Sequence, residues 1–341
     1  MEIRRVQVTG GSSYIITLPK EWVKKANIQK NDSIGLVGQS DGTLLITPKM
    51  IEKQIQKIKT FKVDDKTDQE FILRQLVGAY IAGFNSIEIV STKKMPSKIR
   101  DSIRKFTQIT IGPEVIEETD NSIILKDLLN PTEMPFSSTI KRMHILVKNM
   151  HEDSISALTK DNKNIQEEIS LRDNDVDRLY WLVARQHNII LQNVSLAEKM
   201  GTTIKMSLAY FLISKKIERM GDHVVHIAQN VSQIVSDDLD EEIVAKIQSA
   251  SDLALDIFNR SIGAFFRKDI AESNRNIDSV KKLEQKYEEI NKLALNQKGN
   301  VAISIGNIVE SIKRMGEYAE DISETTINYV IGENQEKISK R

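Results

Sequence analysis

The sequence predicts a multidomain protein with a small strand-rich N-terminal piece, a small α/β spacer and a long all-α C-terminal region. Three observations carry this. Residues 1–48 alternate short apolar runs with turn residues, as in RRVQVT, GGS and SYIITLP. Residues 50–134 mix helical and strand patterns and end at Pro131 and Pro135. From residue 137 onward there is no proline in more than 200 residues, which are rich in Ile, Leu, Lys and Glu.

In the N-terminal piece, Pro19 is placed to open a short helix over PKEWVKKANI, with Trp22, Val23 and Ala26 on one side. NDSIGLVGQ and TLLITP read as two strands joined by an Asp41–Gly42 hairpin turn. So small a unit has too little core to stand alone, so it is expected to dimerise or dock. In the spacer, DQEFILRQLVGAYIAGF and KMPSKIRDSIRKF have helical spacing. SIEIVS, EVIEE and SIILKDLL read as strands, the last two around a turn at Asp120–Asn121. The C-terminal region should break near Asp161, Gly201, Asp237–Asp240, Lys268 and Gly299. That leaves about six helices of roughly 25 to 35 residues in antiparallel bundles. The expected limits are 1–49, 50–134, 137–236 and 237–332.

Bulk properties narrow the function. The 341 residues carry 48 basic and 48 acidic side chains, so the whole chain is no polyanion binder. Residues 1–60 hold ten basic against five acidic residues, a mild local excess. Cysteine is absent, which excludes disulfides, thiolate metal sites and thiol nucleophiles and fits a reducing cytoplasm. No apolar run approaches the roughly 18 residues of a membrane span, and the strand-like start gives no sign of a signal peptide.

The helical region repeats itself. Met206, Tyr210, Ile213, Ile217, Met220, Val224, Ile227 and Val231 alternate spacings of four and three, the seam of a helix in a left-handed bundle. Ninety-five residues later Val301, Ile305, Ile308, Ile312, Met315, Ala319, Ile322 and Thr326 keep the register, and Arg-Met-Gly recurs at 219–221 and 314–316. VDRLYWLV from Val176 is matched to IDSVKKLE from Ile277. Two tandem three-helix units are predicted.

Carboxylates mark the repeat. With Gly201 as the turn, Asp177 stands at a height similar to Glu218 and Asp222 on an antiparallel neighbour, and Asp173 is one turn from Asp177. Four acids on facing helices need counter-charge. Either a cation such as Mg²⁺, Ca²⁺, Mn²⁺ or non-haem iron binds there, or Lys215 and Arg219 neutralise them. In the second unit Asp278 and Glu317 are the expected counterparts, with Lys313 close enough to neutralise both. His223 and His226 read as surface histidines and Trp181 as core.

DNDVDRLYWLV followed by KKIERMGDHVVHIA resembles the two helices of a PhoU unit, and the tandem copy is that family's hallmark. GGSSYIITLPKEWVKKANIQKNDSI with DGTLLITP is similar to the AbrB/MazE/SpoVT swapped-hairpin β domain. The order of the two, with a spacer between, resembles archaeal PhoU-like phosphate uptake regulators. The resemblance implies restraint of phosphate uptake and starvation signalling, through a transporter ATPase and a sensor kinase. It implies metal, often iron or zinc, on an E-x-x-x-D motif formed here by Glu218 and Asp222, faced by Asp173 and Asp177. Manganese or magnesium is the alternative. At Asp278 and Glu317 the second site is degenerate, because Lys313 and Asn274 replace acids. An AbrB-like dimer would contact double-stranded DNA through Arg4, Arg5, Ser12, Ser13, Lys20, Lys24 and Lys25.

The expectation is therefore a dimeric cytoplasmic regulator that binds DNA. A non-DNA interaction protein docking on a phosphate ABC-transporter ATPase is the alternative. The remote one is a metal-carboxylate bundle enzyme. No Glu-x-x-His pair, nucleophile constellation or phosphate-cradling loop supports it.

Overall fold

The computed structural model describes residues 2–38, 42–48, 57–160, 162, 164–234 and 239–338. Asp41 of the expected hairpin turn, the boundary at 49–50, and the breaks at Asp161 and Asp237 lie outside the described residues. The chain divides into two compact units, Met1–Ile55 and Gln56–Arg341.

In the first unit, β1 (Gln7–Thr9) pairs antiparallel with β2 (Ser13–Ile15) across Gly10 and Gly11, both at positive φ. α1 (Lys20–Lys25) starts behind Pro19 and buries no residue. β3 (Gly35–Gly38) pairs with β4 (Leu44–Thr47). Among its described residues none is buried. Ile3, Val6, Val8, Tyr14, Leu36 and Leu44 are all more than half exposed, a pattern that a folded monomer avoids.

The second unit begins with a four-stranded sheet in the order Ile58–Val63, Ser86–Ser91, Ser122–Asp127 and Pro113–Glu118. β5 (Ile58–Val63) runs parallel to β6 (Ser86–Ser91), with α2 (Gln69–Ile81) as the crossover. α3 (Ser97–Ile109) leads into the antiparallel hairpin of β7 (Pro113–Glu118) and β8 (Ser122–Asp127). Alternate strand residues such as Ile87, Ile89, Ile123 and Leu125 pack with Leu76, Ile99 and Phe106 of the helices. Asp68 caps α2 by accepting from the Phe71 amide at 2.7 Å. β5 is not among the strands expected from the sequence, because Lys59 and Lys62 interrupt its apolar pattern.

A 3₁₀ turn at Pro131–Glu133 hands the chain to the bundle. α4 (Phe136–Lys160), α5 (Ile165–Gln192) and α7 (Ile204–Ile234) form the first three-helix unit, with a short α6 (Val194–Lys199) before the turn at Gly201. α8 (Glu241–Arg267), α9 (Ile270–Ala294) and α10 (Gly299–Ile338) form the second. α10, at 40 residues, exceeds the expected length. Lys268 ends α8 in the left-handed conformation, and Asp269 caps α9 through the Glu272 amide. Most of both predicted seams is buried, and the seams meet where α7 packs against α10.

The sheet domain is fastened to the bundle through α5. Arg185, buried to 2% side-chain exposure, holds Asp127 at 2.7 Å and donates to the Phe84 and Tyr80 carbonyls. Gln186 donates to Met134 and Asn188 to Ile81, while Trp181 packs against the sheet-domain core. A buried guanidinium is tolerable only with its donors satisfied, as here.

Candidate functional site

Small residues bring α5 and α7 together. A Cβ on Gly221 would lie 2.6 Å from Asp173 Oδ1 and 3.6 Å from Val176 Cγ1, so any larger residue there would displace the Asp173 carboxylate. The closeness sets four acids into one another's field: Asp173 and Asp177 on α5, Glu218 and Asp222 on α7. Burial first, then the charges of Asp177, Asp222 and Glu218, push the Asp173 carboxyl up to about 7. Burial, then Glu218 and Asp222, push Asp177 up to about 6 against the opposing pull of Lys215. Asp173 Oδ1 is buried without a hydrogen-bond partner.

Two of the acids have cations on them. Lys215 Nζ donates to both Glu218 oxygens, at 2.6 and 2.7 Å, while standing 4.6 Å from the Tyr180 ring centroid. Arg219 reaches Asp222 at 3.4 Å. Among the described residues no group of three or more His, Asp or Glu is arranged so that it could hold a metal ion. The donor set still suits a hard cation, because the partnerless Asp173 oxygen and the mutual repulsion are what such an ion relieves. Its entry would require Lys215 to leave Glu218.

The second unit differs in charge and register. Lys313 pairs with Glu317 at 3.4 Å, and Arg314 with Glu317 at 2.7 Å. Asp278 is exposed and pairs with Lys281 at 3.3 Å, so Lys313 does not neutralise both acids as expected. Gly316 abuts Leu283 as Gly221 abuts Val176, and Lys313 lies over Tyr287 as Lys215 lies over Tyr180. By these contacts Glu284, not Asp278, stands at the height of Asp177, and Val280 at that of Asp173. The expected pairing of VDRLYWLV with IDSVKKLE is six residues out of step in space. His223 is half-buried against Tyr318, within the field of Asp222, and His226 is exposed.

In the first unit Arg4, Arg5, Ser12, Ser13, Lys20, Lys24 and Lys25 are all exposed. Arg4 pairs with Glu2 at 2.5 Å and Lys24 stands 3.9 Å from Glu21. Arg4 and Arg5 precede β1, Ser12 and Ser13 sit at its turn into β2, and the lysines belong to α1. The site the sequence did not foresee is the ring beneath Lys215: a Tyr four residues before Ala184 on an otherwise core-forming helix carries no signal of its own.

Comparison with known proteins follows this division. The family model of the PhoU domain matches residues 140–231 and 247–326, together half of the chain. The model of the antidote-toxin recognition MazE, a bacterial antitoxin, matches residues 7–54. PhoU from Pseudomonas aeruginosa superposes with a TM-score of 0.52 at 16% identity, covering 58% of this chain and 96% of that one. The phosphate transport system regulatory protein PhoU from Streptococcus pneumoniae gives a TM-score of 0.51 at 18% identity, covering 58% and 94%. No curated protein sequence matches. The two matched segments fall on the two three-helix units, and on that ground the chain belongs to the PhoU family.

Proposed function

We propose that the protein regulates phosphate uptake and intracellular phosphate homeostasis as a DNA-binding negative regulator in the cytoplasm. The observation that carries this reading is the pairing of a tandem PhoU bundle with a MazE-like unit that leaves its apolar residues in solvent. A second copy would cover Ile3, Val6, Val8 and Tyr14 and make a homodimer, which would present Arg4, Arg5 and the α1 lysines twice. Backbone contacts of this kind hold any duplex and weaken with salt. The bundle would report phosphate status through a hard cation, whether iron, manganese, magnesium or zinc, held by Asp173, Asp177, Glu218 and Asp222. Such an ion would supply positive charge between α5 and α7 and would take the place of Lys215 on Glu218. No enzymatic step is proposed. Among the described residues no helix is long and apolar enough to cross a membrane.

Fluorescence anisotropy on a labelled duplex across a salt series tests the DNA reading. Arg4→Ala with Arg5→Ala should weaken binding to all sequences alike. Each phosphate contact contributes about 0.9 to the log–log salt slope, so a dimer losing four arginines flattens by up to about 4. An unchanged slope removes these arginines from the interface. One observation favours the second reading, docking on a phosphate ABC-transporter ATPase: the basic excess in residues 1–60 is only ten against five. That reading requires no DNA retention at moderate salt and co-purification with the ATPase.

A further inference from the structure

Among the described residues β5 pairs with β6 alone and is an edge of the four-stranded sheet. Such a strand directs alternate N–H and C=O groups away from the sheet, ready for another strand. Beside it lies a groove of about 520 Å³ between the strand and the first turns of α2, whose lining includes Lys59, Phe61, Lys62, Lys66, Phe71 and Gln75. A groove between an edge strand and a helix is the geometry that binds peptides by strand addition, with backbone bonds giving affinity and alternate side chains giving selectivity.

The chemistry of the groove says what fits. Phe71 is 56% exposed on the first turn of α2, although the rest of that helix buries Ile72, Leu73 and Leu76. Gln75 follows Phe71 at helical spacing and lines the same groove. Three ammonium groups and one carboxylate border the groove; the carboxylate, Asp68, is turned to the Phe71 amide, while among the described residues Lys59 pairs with no acid and stands 5.7 Å from the Phe61 ring centroid. Edge lysines keep like edges from pairing, yet they attract an acidic strand. The opposite edge, β7, is guarded differently: a bulge lies between Val115 and Glu117, and Arg100 pairs with Glu118.

We propose that the β5–α2 groove takes an extended acidic segment of a partner protein as a fifth strand of the sheet. Its backbone would bond to the outer edge of β5, its carboxylates would lie on the sheet face of Lys62, and its apolar side chains would lie on the opposite face against Phe61 and Phe71, beside Lys59.

The test uses the full-length protein and an array of eight-residue fluorescent peptides that alternate Glu with Val, Ile or Phe. Saturable anisotropy binding is expected for part of the array. Methylating alternate backbone nitrogens of the best binder should weaken it at least tenfold without changing its charge. Lys59→Glu with Lys62→Glu, and separately Phe71→Ala, should do the same while circular dichroism stays unchanged. The proposal is overturned if no peptide saturates, or if the methylated peptide binds equally, which would leave charge attraction alone. It is also overturned if light scattering shows mass growing with concentration and Glu114→Lys with Glu117→Lys stops that growth, because the occupant would then be β7 of a second copy.

Discussion

Replacing Asp173 with Asn should stabilise the metal-free protein, and by an amount that depends on pH. Its carboxyl is raised from 3.8 to about 7, chiefly by burial and by Asp177, Asp222 and Glu218. Between about pH 4 and pH 7 the folded chain therefore keeps a proton that the unfolded chain has released. Stability falls as pH rises through that window and levels off above it. Three pH units at 1.36 kcal/mol each would give about 4 kcal/mol for an isolated buried group. Asp173 is only half-buried and its charge is screened, which reduces the expected gain of Asp173→Asn to about 2 kcal/mol at pH 8. Urea unfolding followed by circular dichroism in EDTA, at pH 4 and pH 8, reads this directly. The variant should match the parent at pH 4 and exceed it at pH 8. Equal stability at both, or a loss at pH 8, would show that neither burial nor the neighbouring acids penalise the charged Asp173 carboxylate in the folded state.

Elemental analysis after mild purification should find metal lost on Glu218→Ala with Asp222→Ala and retained on Glu317→Ala, since Lys313 and Arg314 already occupy Glu317; the reverse pattern refutes the first-unit site. Deleting residues 1–48 should halve the mass seen by light scattering, whereas a surviving dimer places the interface in the bundle. Asp127→Ala strands the buried Arg185 charge and should cost about 3–5 kcal/mol. Asp127→Leu with Arg185→Met should cost far less, and equal losses in urea midpoints would contradict an ion-pair origin.

Sequence reached the bundle more easily than its register. The seams from Met206 to Val231 and from Val301 to Thr326 are legible because a buried stripe repeats every three or four residues regardless of what it faces. That same regularity hides height: sliding α9 by nearly two turns again lays an apolar stripe on α10, so VDRLYWLV matched IDSVKKLE by likeness while Leu283 and Tyr287 carry the contacts. β5 escaped because an edge strand bears lysines where a central one bears valines. The Arg185–Asp127 joint links residues 58 positions apart, and no local pattern announces such a pair. The convergence of Asp173 and Asp177 with Glu218 and Asp222 was accessible from helix arithmetic about Gly201, but Lys215's hold on Glu218 needed coordinates.

Mapping the DNA bound by this protein across the genome, in phosphate-replete and phosphate-starved cells, bears most directly on its role as a regulator of phosphate uptake. Enrichment beside phosphate-transport genes, changing with phosphate supply and lost with Arg4→Ala and Arg5→Ala, is the expected result. No enrichment anywhere, with a transporter ATPase recovered alongside the protein, would contradict it and leave the N-terminal unit as a dimerisation device.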